Sequence, residues 1–167
     1  MSGRGQFKSI VKANIPLCRE HFRLVLSLRE FPRTEPGQFV QIECRDEVSG
    51  TGEVEKEWGP GMKFSDVDLL GRQAMLRRPF SLAGREDVDG GVEIEVIHRV
   101  VGVGTRWMSE LKPGDRVNVI GPLGNQFPDP RGTALLVGGG VGIPPMLYLA
   151  QALRNRPAVA GKVSSRR

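Results

Sequence analysis

The chain has 167 residues, enough for one well-packed domain and part of a second. Its apolar content of 39% and charged content of 26% are those of an ordinary globular protein. No apolar run reaches the ~18 residues of a membrane-spanning helix, and Met1-Ser2-Gly3-Arg4-Gly5-Gln6 lacks a signal-peptide core, so no membrane partner and a cytoplasmic location are expected.

The net charge of +5 sits at one end: Arg154, Arg156, Lys162, Arg166 and Arg167 have no acidic residue among them, and the rest of the chain is balanced. No basic face interleaved with aromatics is present, so nucleic acid is not an expected partner. Cys18 and Cys44 are the two cysteines; with no CxxC spacing and apolar neighbours, both are read as buried free thiols, with no disulfide framework and no metal site.

In chain order, Phe22, Leu24, Leu26 and Leu28 alternate with Arg23 and Ser27, a period of two that predicts a half-buried strand. Glu35-Pro36-Gly37-Gln38 is a turn, and alternation resumes with Val40, Ile42 and Cys44 on one face. From 46 to 73 the pattern dissolves among Gly50, Gly52, Gly59, Pro60 and Gly61, which predicts a long surface insertion. Phe80 to Ala83 then form a strand running into a turn at Gly84-Arg85, and Val92, Ile94 and Val96 mark the next strand. A short helix over 105–111 is expected, with Thr105 as its N-cap. Lys112-Pro113-Gly114-Asp115 is a turn, and Val117 and Val119 define a strand ended by Gly121-Pro122. Short strands at turn-punctuated spacing suggest an antiparallel barrel or sandwich.

The pattern changes after Pro128 and Pro130. Ala134-Leu135-Leu136-Val137 is a continuous apolar run, the signature of a strand buried on both faces of a parallel sheet. Glycines at 138, 139, 140 and 142 follow, then a helix from about Pro145 to Leu153 with proline in its first turn. Leu135 to Val137 and the helix face of Leu147, Ala150 and Leu153 have apolar surface to bury, and without neighbouring strands this unit is expected to pack only partly against the barrel and expose the rest. Strand, glycine loop and helix open an α/β unit. The residues after Arg156 show no convincing element and are expected to be a disordered basic tail over 156–167.

Three motifs carry chemistry. In Arg77-Arg78-Pro79-Phe80-Ser81-Leu82, an arginine at a strand edge offers a charged fork to a diphosphate, and an aromatic ring beside a hydroxyl suits a flat heteroaromatic ligand; a salt-bridged arginine and a core phenylalanine are the bland alternative. In His98-Arg99-Val100-Val101-Gly102-Val103-Gly104-Thr105, a strand ends in glycines at a helix start, where free N–H groups favour an anion, though a plain strand-to-helix turn reads equally well. Gly138-Gly139-Gly140-Val141-Gly142-Ile143-Pro144-Pro145 is neither G-x-G-x-x-G nor a Walker loop, yet it places glycines and a helix N-terminus after a buried strand, where a pyrophosphate would sit.

Taken in order, Arg-Pro-Phe-Ser-Leu, Arg-Val-Val-Gly-x-Gly-Thr, Gly-Pro-Leu-Gly-Asn-x-Phe and Gly-Gly-Gly-x-Gly-x-Pro-Pro resemble the ferredoxin-reductase superfamily over residues 15 to 153, the insertion apart. Arg99 to Thr105 and Gly121 to Phe127 look most like the electron-transfer subunit family of dihydroorotate dehydrogenase, which serves pyrimidine biosynthesis. The resemblance implies a mainly β fold: an antiparallel FAD-binding barrel over 7–127, then the first strand, loop and helix of an incomplete nicotinamide-nucleotide domain over 132–155. It implies an oxidoreductase subunit passing electrons from NAD(P)H through FAD to a partner dehydrogenase.

Carried over by motif, Arg78 would hold the FAD diphosphate, with Pro79, Phe80 and Ser81 lining the isoalloxazine. Gly104 and Thr105 would support the diphosphate or adenosine side, with Arg99, Val100 and Gly102 also among the cofactor-binding residues, and Gly138, Gly139, Gly140 and Gly142 would face the nicotinamide diphosphate. The family's [2Fe–2S] cluster needs about four close thiolates, which two cysteines do not supply. With one strand in its second unit, the chain is expected to be a truncated reading of a longer gene, with NAD(P)H binding weak or absent. A non-catalytic flavin-binding or docking module is the alternative.

Overall fold

The computed structural model describes residues 3–45, 74, 76–130 and 133–155. Six strands close into an antiparallel barrel: β1 (Gly5–Cys18), β2 (His21–Leu28), β3 (Phe39–Ile42), β4 (Arg78–Val88), β5 (Gly91–Arg99) and β6 (Arg116–Leu123), in the spatial order β1-β2-β5-β4-β3-β6. Helix α1 (Val103–Glu110) follows β5, and α2 (Ile143–Arg154) ends the described chain. Closure pairs every strand on both sides, leaving no barrel edge to template aggregation.

The alternation read from the sequence becomes the barrel interior. Leu24, Leu26, Val40, Ile42, Leu82, Ile94, Val96, Val117 and Val119 are all buried in one core with Cys44 and Met108. Replacing one such leucine by alanine removes its transfer free energy and leaves a cavity, typically 2–5 kcal/mol.

Several expectations change. Strand β1, the longest, carries no clean apolar alternation: its inward residues include Ser9, whose hydroxyl donates to the Val117 carbonyl, while outward Ile10 is exposed. The turn expected at Gly84-Arg85 is instead strand. β4 passes through it to Val88, and a register shift between Leu82 and Gly84 absorbs the irregularity as a bulge. Gly121-Pro122 likewise lies within β6, which runs to Leu123. Cys44 is buried as expected, but Cys18 is exposed, because β1 overruns the barrel at its end. The 46–73 insertion and the tail from 156 to 167 lie outside the described residues.

The unit after the barrel differs most. Residues 133–139 form no strand, and Leu135 and Val137 are 88% and 79% exposed. A parallel strand exists only through hydrogen bonds to parallel neighbours, and none lies among the described residues. Helix α2 does form, beginning at Ile143 rather than Pro145, and packs on β4. It buries Pro144, Pro145 and Tyr148 rather than the expected face; Leu147 stays 43% exposed. The Tyr148 hydroxyl donates to the Thr34 carbonyl at 2.9 Å and lies 2.7 Å from the Thr34 hydroxyl. Burial pushes that phenol's pKa up, and the Thr34 hydrogen bond opposes the shift.

Candidate functional site

The first two motifs meet at one end of the barrel. Antiparallel pairing sets Ile42 opposite Arg78 and Leu82 opposite Val96, so Phe80 falls beside His98. Beyond Arg99 the chain leaves the barrel and turns into α1, which closes this end with Met108 and Leu111 buried. The Asn14 side-chain amide of β1 donates to the Met108 and Leu111 carbonyls at 2.9 and 3.0 Å, holding the helix by its last turn.

The arginine pair divides as strand alternation requires. Arg77 is tied down: it reaches the Glu43 carboxylate at 2.8 Å and the Asn118 side-chain and main-chain oxygens at 2.9 and 3.2 Å. Arg78 is exposed and has no hydrogen-bond or ion-pair partner among the described residues. Its charge acts on the Cys44 thiol, and Cys44 in turn touches Gly104 of α1. Arg78 pairs with Ile42, two residues before Cys44, so the end of β3 links it to that helix.

There the helix leaves main-chain donors without acceptors. The N–H groups of Val103, Gly104 and Thr105 precede the first intrahelical bond, Arg106 N–H to the Gly102 carbonyl, and have no acceptor among the described residues. Thr105 is not the N-cap; Gly102 holds that position and Thr105 is the third helical residue. The Thr105 hydroxyl accepts from the Val101 and Gly102 N–H groups at 2.9 and 3.1 Å and donates to the Gly102 carbonyl, which stiffens the loop. Gly102 opens to empty space, whereas a Cβ on Gly104 would lie 3.1 Å from that of Cys44. The first glycine leaves room for a ligand; the second lets the helix approach the barrel.

Two further residues brace the loop. Arg99 pairs with Glu20 at 3.1 Å, and the Val100 N–H donates to the Glu20 carbonyl at 2.8 Å, with Glu20 in the left-handed region at φ 63°. Arg99 and Val100 are thus engaged with the β1–β2 turn. Pro79 is exposed, Phe80 and Ser81 are half-buried, and Phe80 packs on the core edge.

The glycine loop leads into α2, the helix that packs on β4. Its last residues form a single tight turn over Gly140–Gly142, with Gly140 at φ 53°. At the helix start the Gly142 and Ile143 N–H groups donate to the Gly139 and Gly140 carbonyls, and Pro144 and Pro145 have no N–H to give. Main-chain donors remain only within the loop itself.

His98 is the site residue that the motif reading passed over. It continues the inward row of Val92, Ile94 and Val96 and is 4% exposed. Its ring stacks on Phe22 at 5.7 Å and stands edge-on to Phe80 at 6.2 Å. Neither ring nitrogen has a partner among the described residues. Burial first, and the neighbouring His21 second, push its pKa down to about 4. The signal was present in the sequence as a histidine at an inward position of an otherwise apolar strand.

No group of three or more His, Cys, Asp or Glu side chains among the described residues is placed to hold a metal ion. None of their helices is long and apolar enough to cross a membrane.

No family model matches the sequence. The electron transfer subunit of dihydroorotate dehydrogenase B (NAD(+)) from Bacillus velezensis is 37% identical over 153 residues, 87% of this chain and 49% of that protein. Among solved structures, a cytochrome P450 reductase from Amycolatopsis superposes with a TM-score of 0.63 at 27% identity, covering 91% of this chain and 40% of the other. A ferredoxin reductase of carbazole 1,9a-dioxygenase gives 0.61 at 25% identity, covering 89% and 39%. The closed six-stranded barrel with a helix at its end has the fold of the flavin-binding domain of ferredoxin-reductase-type FAD/NAD-binding proteins. Within that class the sequence is related to the electron transfer subunit of dihydroorotate dehydrogenase B. The chain spans about half the length of that relative.

Proposed function

We propose that residues 7–127 bind FAD at the barrel mouth and that the chain serves electron transfer between a nicotinamide nucleotide and a catalytic dehydrogenase subunit of the dihydroorotate dehydrogenase type, with 132–155 opening the nicotinamide unit. One combination carries the reading: Arg78 is exposed and unpaired at the start of β4, and the first N–H groups of α1 have no acceptor among the described residues. That pairing suits a diphosphate, since a guanidinium fork and main-chain donors bind phosphate oxygens together. Phe80 and Ser81 sit two and three residues along β4, in reach of the flat ring system of the same ligand.

The chemistry that FAD supplies when bound is the exchange of a hydride for single electrons. The chain's own residues do the rest. Arg78 and the 103–105 amides fix the charged end; Gly102 keeps the approach open; Asn14 and the Glu20–Arg99 pair hold the cradle still. An iron–sulfur cluster does not fit these residues. Cys18 is exposed and Cys44 buried, and burial pushes the Cys44 thiol up to about 11, away from the thiolate a cluster requires.

A second reading, a flavin-binding or docking module without nicotinamide chemistry, is favoured by the proline-blocked start of α2. One experiment separates them. The purified chain is saturated with FAD, and NADH is added without oxygen while the flavin absorbance is followed. Bleaching supports electron transfer; a stable yellow protein supports the module. A chain that takes up no FAD ends both.

A further inference from the structure

We infer that the connection between β2 and β3 is a clamp that fixes the glycine-loop segment against the barrel, with Tyr148 as its positioning residue. The use made of the clamp rests on the reading of 132–155 as a nicotinamide unit; its geometry does not. The glycine loop lies in the chain between two anchors, and both bind this one connection. Before the loop, the Phe127 N–H donates to the Pro36 carbonyl at 2.8 Å. A Cβ on Gly37 would lie 2.9 Å from the Asn125 carbonyl oxygen and the Phe127 nitrogen, so the two segments meet main chain to main chain. After the loop, the Tyr148 hydroxyl of α2 meets Thr34. The connection is in turn held to β4, because Arg85 donates to the Pro32 and Phe31 carbonyls at 2.6 and 3.4 Å and pairs with Asp87 at 2.7 Å.

Packing alone does not explain a tyrosine here. Tyr148 is the one tyrosine of the chain and is 7% exposed, a position that phenylalanine would fill as well. A buried phenol needs a partner for its hydroxyl. Its proton goes to the Thr34 carbonyl, so the Thr34 hydroxyl is the donor in the 2.7 Å contact between the two side chains. Both bonds end on a single residue that is itself 4% exposed. Sliding α2 along β4 breaks both and strands buried polar groups, which costs more than the bonds contribute when made. The pair therefore selects one placement of the helix. A fixed placement is what transfer between a ligand at the loop and a ring at the barrel mouth requires.

Amide hydrogen exchange on the full chain tests the clamp, with FAD affinity measured on each variant. Tyr148→Phe keeps the ring and should speed exchange of the α2 amides roughly tenfold, with the amides of β2 and β5 unchanged. FAD affinity should stay as in the wild type. Thr34→Val should act in the same direction, and Thr34→Ser, which keeps the hydroxyl, should retain wild-type exchange. Faster exchange in helix and barrel alike would make Tyr148 an ordinary core residue and overturn the inference; so would unchanged exchange in α2. FAD failing to bind the wild-type chain ends the proposed function, while the exchange data still decide the clamp.

Discussion

The barrel mouth and the glycine loop carry motifs of the same kind, glycines leading into a helix, yet they are built differently. At α1 the first N–H groups are left open and the loop before them is braced by Thr105 and Glu20. At α2 the turn spends its N–H groups on itself and two prolines remove the next pair. A glycine run before a helix therefore does not by itself make an anion site; what counts is where each N–H goes. Surroundings differ as well. α1 lies against a closed core, whereas the segment before α2 holds Leu135, Val137 and Val141 in solvent.

The largest expected consequence is a gap in affinity. FAD should bind this chain at least a hundredfold more tightly than NADH, a difference of about 2.8 kcal/mol. Calorimetry on each ligand measures it, and micromolar NADH affinity would show that the loop donors within 138–141 suffice without the helix.

Next comes the arginine pair. Arg78→Ala should weaken FAD about ten- to a hundredfold, because one charge-assisted contact is worth roughly 1.5–3 kcal/mol. Arg77→Ala should leave FAD affinity within about threefold and instead lower stability by about 1–2 kcal/mol, since it removes the links to Glu43 and Asn118. Flavin titration and thermal melts on both variants check this. A larger affinity loss at Arg77 than at Arg78 would reverse the strand facing.

Acid should act on the mouth through His98. The unfolded imidazole titrates at 6.5 and the folded one near 4, so the unfolded state binds the extra proton between those values. Stability contributed by the neutral ring is complete above pH 6.5 and falls as pH drops toward 4, by about 3 kcal/mol. Urea midpoints at pH 7.5 and pH 4.5, compared with those of His98→Phe, measure the term; the variant should lack it.

The barrel was legible where one face of a strand is purely apolar. Leu24, Leu26 and Leu28 on β2, and Val92, Ile94 and Val96 on β5, announced themselves. β1 did not, because inward Ser9 and outward Ile10 invert the expected chemistry; Ser9 is satisfied by a carbonyl on β6, residues away in sequence. Gly84 read as a turn because sequence cannot distinguish a bulge from a stop. In the site, Arg78 was legible as the arginine leading a strand with Phe80 and Ser81. The Glu20–Arg99 brace joins segments distant in sequence and no local pattern contains it; the Thr105 bonds to Val101 and Gly102 are local, but a threonine at the third helical position reads from sequence as the N-cap. The apolar run at 134–137 read as a strand because hydrophobicity reports what a segment would bury, not whether its neighbours are present.

The smallest effects should come from two glycines, one in each region. Gly139 has φ −139°, a conformation open to any residue, and a Cβ there would meet nothing within 4 Å. Gly139→Ala should therefore change stability by less than about 0.5 kcal/mol. Gly104→Ala gains about 1 kcal/mol of helix propensity but sets its methyl 3.1 and 3.2 Å from the Cβ atoms of Cys44 and Ala74, neither of which can rotate away. Overpacking of this kind typically costs 1–3 kcal/mol, so the net should be a loss of about 1 kcal/mol, with α1 pushed off the barrel mouth. FAD affinity should fall with it, since the 103–105 amides ride on that helix. Equal stability in the two variants would mean that α1 sits further from β3 than the Cys44 contact implies, and the anion cradle would then owe its geometry to the Glu20 and Asn14 braces alone.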